Sequence, residues 1–177
     1  DVVERYGPDP VRFYLTINMP ESKDSDWTWS EFQQRNNDEL VATWGNLVNR
    51  ILSFAYKHFE ERVPVPGELQ SEDRLLLDTI VDGFDSVGEL LGAVKLRAAL
   101  QEALRLAGEV NKYLEEQAPW LTIKTDRAAA ARSVYTALRA VDSLKIIFSP
   151  FIPFSSEKIH AFLGYDGKLF GEQDIES

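Results

Sequence analysis

The chain has 177 residues, of which 44% are hydrophobic and 27% charged, enough for one domain with a substantial core and too apolar for a disordered chain. It contains no cysteine, which excludes a disulfide framework, a thiolate zinc site and a cysteine nucleophile and fits a cytoplasmic protein. No apolar run is long enough to span a bilayer, so we expect no membrane partner. The net charge of -10 argues against general nucleic-acid binding, and RNA contact would require a local basic patch.

The N-terminal residues 1–27 form a short segment ahead of the main helices. The chain opens at Asp1 and its only methionine is Met19, from which we expect an excised fragment. Asp9-Pro10 offers a helix start, because proline is favoured in a first turn. An apolar stretch follows over residues 11–17, and a polar loop over residues 21–26 separates it from the main domain.

A long helix is predicted from Thr28, which has the capping-box spacing with Glu31. Apolar residues three or four positions apart then form one stripe along this helix: Leu40, Trp44, Leu47, Ile51 and Phe54. Two prolines and a glycine over residues 64–67 end the segment.

Four further helical segments follow in chain order. The second helix is predicted to begin at a cap over residues 71–73 and to break before Val94, and Pro119 ends the third near Ala118. The fourth begins at residues 125–126, and a short fifth is expected to be capped by Ser155. The buried faces are predicted from apolar spacing, with Leu76, Ile80, Phe84, Val87 and Leu91 on the second helix, Leu96, Leu100, Ala103, Ala107 and Leu114 on the third, Val134, Leu138, Val141, Leu144 and Phe148 on the fourth, and Ile159, Phe162 and Leu163 on the fifth.

This pattern predicts an all-α, up-and-down helix bundle over residues 28–163, with a peripheral tail over residues 164–177. Glu157-x-x-His160 is the one Glu-x-x-His pair, whereas a di-iron bundle needs two such pairs, so we predict no metal site. Two histidines and no cysteine suggest no catalytic triad, and we predict no catalytic residues in this chain.

A small group of polar and aromatic residues could contact RNA. Asn46, Arg50 and Lys57 project about a quarter turn from the apolar stripe, and Asn46 and Arg50 are neighbours on one face. An amide and a planar guanidinium can together hydrogen-bond the edge of an unpaired base. Trp120 follows the helix stop, so a bend presents it as a stacking platform. Possible phosphate contacts are Lys57, Lys112 and Lys124. From pattern alone, a surface role for Asn46 and Arg50 and a core role for Trp120 are the commoner alternatives.

At these residues the chain resembles class I aminoacyl-tRNA synthetases. Residues 6–15 (YGPDPVRFYL) resemble the segment that follows the KMSKS loop, and residues 150–158 (PFIPFSSEK) resemble the last-helix signature of several members. Five further stretches resemble the anticodon domain of the methionyl-tRNA synthetases: residues 26–29 (DWTW), 35–40 (RNNDEL), 45–50 (GNLVNR), 111–114 (NKYL) and 117–120 (QAPW).

The resemblance implies a role for each candidate residue. Asn46 and Arg50 would hydrogen-bond the first anticodon base, a cytosine; Trp120 would stack on a base, and Pro119 would shape the bend. Residues 1–27 would end the stem-contact fold, where the piece over residues 11–17 could join a small sheet. The HIGH and KMSKS motifs are absent, so this chain alone would have no activity or cofactor, while its parent would use ATP with magnesium. The implied partners are a tRNA with a methionine anticodon and the catalytic domain of the same chain.

Two departures and two alternatives accompany this interpretation. Ala42 replaces an asparagine found in many members and Trp44 replaces an aliphatic residue, which changes the polar network around the reading pair. The last-helix signature alone would also fit a valyl-, leucyl-, isoleucyl- or cysteinyl-tRNA synthetase. A helical protein-interaction module with no RNA role would also explain the acidic composition.

Overall fold

The computed structural model describes residues 2–19 and 27–170, and all regular structure in these two ranges is helical. The predicted all-α helix bundle is therefore confirmed. The α-helices are α1 (Val2–Tyr6), α2 (Pro8–Ile17), α3 (Trp29–Arg35), α4 (Asn46–His58), α5 (Ser71–Gly92), α6 (Leu96–Gln117), α7 (Pro119–Thr122), α8 (Arg127–Phe148) and α9 (Pro153–Phe162). Residues 20–26, where the polar loop was predicted, and residues 171–177 of the tail lie outside the described ranges.

The N-terminal segment forms two helices joined at Gly7, whose φ of 81° is the left-handed conformation that favours glycine. Pro8 and Pro10 lie in the first turn of α2, as the sequence predicts. Residues 11–17 are helical, so the expectation that they join a small sheet is wrong. Phe13 and Ile17 on α2 are buried in the common core, which attaches this segment to the bundle.

Helix α9 is capped by a distant carboxylate rather than by its own residues. The predicted cap at Ser155 is wrong, because α9 begins after Ile152. Asp9 lies at the N-terminus of α9 instead, and its two carboxylate oxygens accept from the backbone N–H of Ser155 at 2.6 Å and of Phe154 at 3.4 Å. A carboxylate there satisfies free amides and complements the helix dipole, so Asp9 joins α2 to α9.

The first long helix is continuous from residue 29 to residue 58 but changes its geometry partway. Thr28 Oγ1 accepts from the backbone N–H of Glu31 at 3.2 Å, which confirms the predicted cap. Between α3 and α4 lies a π-helical segment (Asn36–Gly45), which we did not predict. Trp44 at its end is 2% exposed and stacks on Phe148 of α8 at 4.6 Å, as its place in the apolar stripe indicates.

Helix α5 differs from its prediction at its cap and on its buried face. Its N-cap is Gln70 rather than Ser71, with the Gln70 backbone N–H donating to the Asp73 carboxylate at 2.7 Å. Phe84 is 38% exposed instead of buried, and Gly83 packs against Leu106 of α6 in its place. Position 83, rather than position 84, therefore faces α6, and Leu106 leaves little room there for a side chain.

The ends of α5 and α6 and the start of α8 follow the sequence prediction. Helix α5 ends just before Val94, which adopts the left-handed conformation with a φ of 58°. Helix α6 ends just before Ala118, which is also left-handed, with a φ of 41°. Asp126 caps α8, accepting from the backbone N–H of Ala129 at 2.9 Å. On α9 Ile159 is buried, but Phe162 is 60% exposed, so its predicted core position is wrong.

Candidate nucleic-acid interface

The sharp bend after α6 places Trp120 beside α4. Ala118 adopts the left-handed conformation, Pro119 begins α7, and the buried Pro119 ring holds the bend against the bundle. Trp120 therefore projects from a short helix with its indole half-buried and packed against the rim of the core. The guanidinium carbon of Arg50 lies 5.0 Å from the centre of this ring, within the range of a cation–π contact. The sequence prediction paired these two residues, and the structure brings them together.

Arg50 is held by a third residue, Asn111 of α6. Its Nη2 donates to Asn111 Oδ1 at 3.0 Å, and the Asn111 amide nitrogen donates to the Thr43 carbonyl at 2.8 Å and the Ala107 carbonyl at 3.2 Å. The carbonyl acceptors fix the orientation of the Asn111 amide, so that its oxygen faces Arg50. Asn111 opens the family-like stretch over residues 111–114, but we did not predict its role.

Arg50 and Trp120 border an open groove of about 690 Å³ between α4, α7 and the start of α8. Its lining combines cationic side chains with apolar and aromatic surface: Arg50, Ser53, Phe54, Lys57, His58, Trp120, Ile123, Lys124 and Arg127. Within the described part of the chain, no carboxylate belongs to this lining, although the whole sequence has a net charge of -10. The groove is thus a local basic patch with an aromatic platform, the combination that an acidic protein would need to bind a single-stranded nucleic acid.

Two of the predicted phosphate ligands lie at this groove and one does not. Lys57 on α4 and Lys124 after α7 both belong to its lining. Lys112 lies on the other side of α6, where it borders a depression against α5 and is 4.0 Å from Glu116. Asn46 is exposed on α4, one turn before Arg50, and is outside the groove lining.

Arg127 is a cation at the groove that sequence reasoning missed. Its Nη2 donates to the His58 carbonyl at 2.6 Å, and its guanidinium carbon lies 5.0 Å from the Phe59 ring centre. It therefore ties the first turn of α8 to the last turn of α4. No sequence pattern indicates this contact, since the two residues are 69 positions apart.

The Glu157-x-x-His160 pair, which we considered from the sequence as a metal ligand pair, contacts the start of the C-terminal tail. The Glu157 carboxylate accepts from the backbone N–H of Leu169 at 3.0 Å, and the His160 ring stacks on Tyr165 at 4.6 Å. Both contacts fix the described part of the tail against α9. Among the described residues, no group of three or more histidine and acidic side chains is arranged to hold a metal ion.

Two family sequence profiles match this chain. The sequence profile described as "Anticodon binding domain of methionyl tRNA ligase" matches residues 63–176, more than half of the chain. This chain belongs to that family. A second profile, described as "tRNA synthetases class I (M)", matches residues 1–52, so that residues 53–62, which include the end of α4, lie between the two matches. The family assignment favours the methionyl member over the other class I synthetases considered from sequence.

Curated relatives and solved structures of methionyl-tRNA ligases match almost all of the chain. A methionine–tRNA ligase of Thermomicrobium roseum is 55% identical over 99% of this chain and 30% of its own length. One of Chloroflexus aggregans is 56% identical over 97% of this chain and 28% of its own length. The chain thus spans about 30% of the length of these relatives.

Two crystal structures of Mycobacterium tuberculosis methionyl-tRNA synthetase share the fold. The free enzyme has a TM-score of 0.84 at 28% identity, covering 92% of this chain and 36% of its own. The enzyme bound by methionyl-adenylate has a TM-score of 0.85 at 30% identity, covering 89% of this chain and 32% of its own. Among the described residues, no helix of this family member is long and apolar enough to cross a membrane.

Proposed function

We propose that this chain recognises the anticodon of a methionine tRNA within a longer, cytoplasmic methionine–tRNA ligase. The observation that supports this most is the cluster of Arg50, Trp120 and Asn111 at a groove lined by basic residues. A helical interaction module would not require a carboxylate-free basic groove on a chain with a net charge of -10.

In this proposal, the first anticodon base, a cytosine, is recognised by hydrogen bonding and stacking together. Asn46 and Arg50 hydrogen-bond the base edge, with Arg50 oriented by Asn111. The exposed part of the Trp120 indole stacks on a splayed base, and stacking of this kind contributes about 1–3 kcal/mol per base. The buried Pro119 keeps that indole at the groove.

Phosphate binding in the groove would come from Lys57 and Lys124, with Arg127 as a further cation. Unlike these residues, Lys112 faces α5, so a phosphate contact there would require the RNA to reach the opposite side of α6. Together with Arg50, these residues give the groove four cationic side chains, which is a modest electrostatic contribution to tRNA binding. We therefore propose that the parent supplies much of the tRNA affinity.

The remaining chemistry belongs to the parent. We propose that its catalytic domain, a partner in the same polypeptide, activates methionine with ATP and magnesium, and that this chain has no catalytic activity alone. Residues 1–27 would be the end of the stem-contact fold, residues 28–163 the anticodon-binding bundle, and residues 164–177 a peripheral tail.

Replacing Trp120 with alanine in the full-length ligase tests the proposal. We expect tRNA charging to fall by about tenfold or more, because one stacked base is lost, while tRNA-independent methionine activation is unchanged. Leu121→Ala is the matched control, since Leu121 is the next residue and is 64% exposed. Equal loss of charging and activation in Trp120→Ala would mean that Trp120 has only a structural role.

A further inference from the structure

A second groove, of about 640 Å³, lies between α4 and α9. It is mostly apolar, and its lining is formed by Val48, Asn49, Leu52, Ser53, Tyr56, Lys57, Glu61, Ile159 and Phe162. Two aromatic rings on different helices of this lining are open to solvent, since Tyr56 of α4 is 51% exposed and Phe162 of α9 is 60% exposed. We call this cavity the side groove, and the groove that contains Arg50 and Trp120 the basic groove.

The side groove adjoins the basic groove along one edge of α4. Ser53 and Lys57 belong to both linings. At about 100° of rotation per residue, these two side chains project between Arg50, in the basic groove, and Tyr56, in the side groove. An RNA strand bound in the basic groove therefore needs to cross only the ridge at Lys57 to bring a neighbouring nucleotide into the side groove.

The chemistry of the side groove suits a nucleobase better than a phosphate. Tyr56 and Phe162 offer flat rings on which any base can stack. In the described part of the chain, the lining holds one cation, Lys57, and one carboxylate, Glu61. Glu61 is unfavourable for a phosphate, but its carboxylate can accept a hydrogen bond from the exocyclic amino group of a base. Uracil has no such group, so Glu61 would favour the other bases over uracil.

We propose that the side groove binds one unpaired nucleotide of the anticodon loop, next to the anticodon, whose base carries an exocyclic amino group. This inference rests on the proposed function, because it takes the basic groove to hold the anticodon. The base stacks on Tyr56 and Phe162, its amino group donates to Glu61, and its phosphate binds Lys57. Asn49 lies two helical turns before Tyr56, about 10 Å away along α4, and takes no part.

Removal of single bases from the tRNA tests this assignment in the full-length ligase. Each unpaired loop nucleotide outside the anticodon is replaced in turn by an abasic nucleotide, and the KM for tRNA is measured. We expect one position next to the anticodon at which the abasic tRNA raises KM by about tenfold, because one stacked base is lost. In Tyr56→Ala, the KM for intact tRNA should rise by a similar factor, and loss of that base should have no further effect.

Phe154→Ala is the matched control for Tyr56→Ala. Phe154 is an aromatic residue of α9 that is 57% exposed and lies outside the side groove. In this variant the abasic tRNA should still raise KM by about tenfold. If no abasic position loses its effect in Tyr56→Ala while keeping it in Phe154→Ala, the proposal is overturned.

The hydrogen bond to Glu61 is tested at the same nucleotide. Uridine there keeps a base that can stack but removes the amino group. We expect uridine to raise KM by about tenfold in the wild-type ligase, because a hydrogen bond to a charged group is lost, and to have no effect in Glu61→Ala. An equal effect of uridine in both proteins would remove Glu61 from the proposal.

The side groove and the anticodon assignment can fail separately. Tyr56→Ala should leave both tRNA-independent methionine activation and the preference for cytosine at the first anticodon base unchanged, whereas Arg50→Lys should lose that preference. Loss of methionine activation in Tyr56→Ala would mean that Tyr56 has a structural role and would overturn the proposal. If Tyr56→Ala fails to fold, Phe162→Ala replaces it in the same comparison with abasic tRNA, since Phe162 is the other exposed ring.

Discussion

Arg50 is oriented by the protein itself, through a hydrogen bond from Nη2 to Asn111 and the indole of Trp120 beside it. Asn111 in turn donates to two backbone carbonyls, of Thr43 and Ala107. A flexible arginine held in this way loses less entropy when it binds a base, because much of its ordering has already taken place on folding. At the scale of single residues, the proposed recognition of the base would therefore depend on a preformed arrangement rather than on Arg50 alone.

Removing the Asn111 amide should weaken tRNA binding without affecting methionine activation. We expect Asn111→Ala in the full-length ligase to raise the KM for tRNA by about tenfold, because a hydrogen bond to a charged group contributes about 1.5–3 kcal/mol and part of that would be recovered from water. Asn49→Ala is the matched control, since Asn49 is exposed on α4 next to Arg50 and outside the groove lining. Equal KM values for the two variants would contradict the positioning role.

The separation of α5 and α6 is set by a glycine. A Cβ at position 83 would lie 2.5 Å from Leu106 Cδ1, and Leu106 is fully buried. At Gly88, five residues later on the same helix, a Cβ would meet nothing within 4 Å. Two glycines that look alike in the sequence thus differ in function, and only the first is required for packing.

Alanine at these two glycines should change stability in opposite directions. Gly83→Ala should lower the free energy of unfolding by about 1–3 kcal/mol, since overpacking forces the helices apart. Gly88→Ala should raise it by up to about 1 kcal/mol, because alanine favours a helix. Denaturant unfolding of this chain measures both. Stabilisation by both substitutions would show that α5 and α6 are not in close contact at position 83.

The sequence predicted a helix end correctly where the residues that fix that end are close to it in the chain. Local signals were sufficient at Thr28, at Val94 and at the stop before Pro119, because the cap or the steric block lies within a few residues. They failed at Ser155, where the first-turn amides bind Asp9, some 146 positions earlier. Phe84 was misplaced because apolar spacing cannot show that Gly83 is the residue facing α6.

For the candidate site, chain order and the resemblance together predicted the meeting of Arg50 and Trp120. Neither predicted Arg127, whose contact with the His58 carbonyl depends on how α8 packs against α4. Chain order and the resemblance also failed to show that Lys112 faces α5. Lys112 follows Asn111 directly in the sequence, but it lies on a different face of α6. Residue identities could therefore be assigned from sequence, whereas the set of residues sharing one groove required the fold.

Across the whole molecule, the charge distribution resolves the conflict between an acidic composition and RNA binding. The net charge is -10, yet the groove lining holds Arg50, Lys57, Lys124 and Arg127 and, within the described ranges, no carboxylate. Affinity for phosphate depends on the potential at the groove more than on the total charge. The acidic remainder of the surface would disfavour binding elsewhere on the chain.

Salt dependence should identify which lysines meet the phosphates. In the full-length ligase, Lys124→Ala should reduce the slope of log affinity for tRNA against log salt by about 0.7–1, because one phosphate contact is lost. Lys112→Ala serves as the comparison on the other side of α6 and should leave the slope unchanged. An equal reduction in both would place phosphates on the α5–α6 side as well.

The central claim is tested most directly by discrimination at the first anticodon base. Charging efficiency of the full-length ligase is compared for methionine tRNA with cytosine and with another base at that position. The comparison is then repeated with Arg50→Lys, which keeps the charge but not the planar guanidinium. We predict that the wild-type ligase strongly prefers cytosine and that Arg50→Lys loses most of this preference. If the substitution lowers charging of both tRNAs by the same factor, Arg50 does not recognise the base and the account is contradicted.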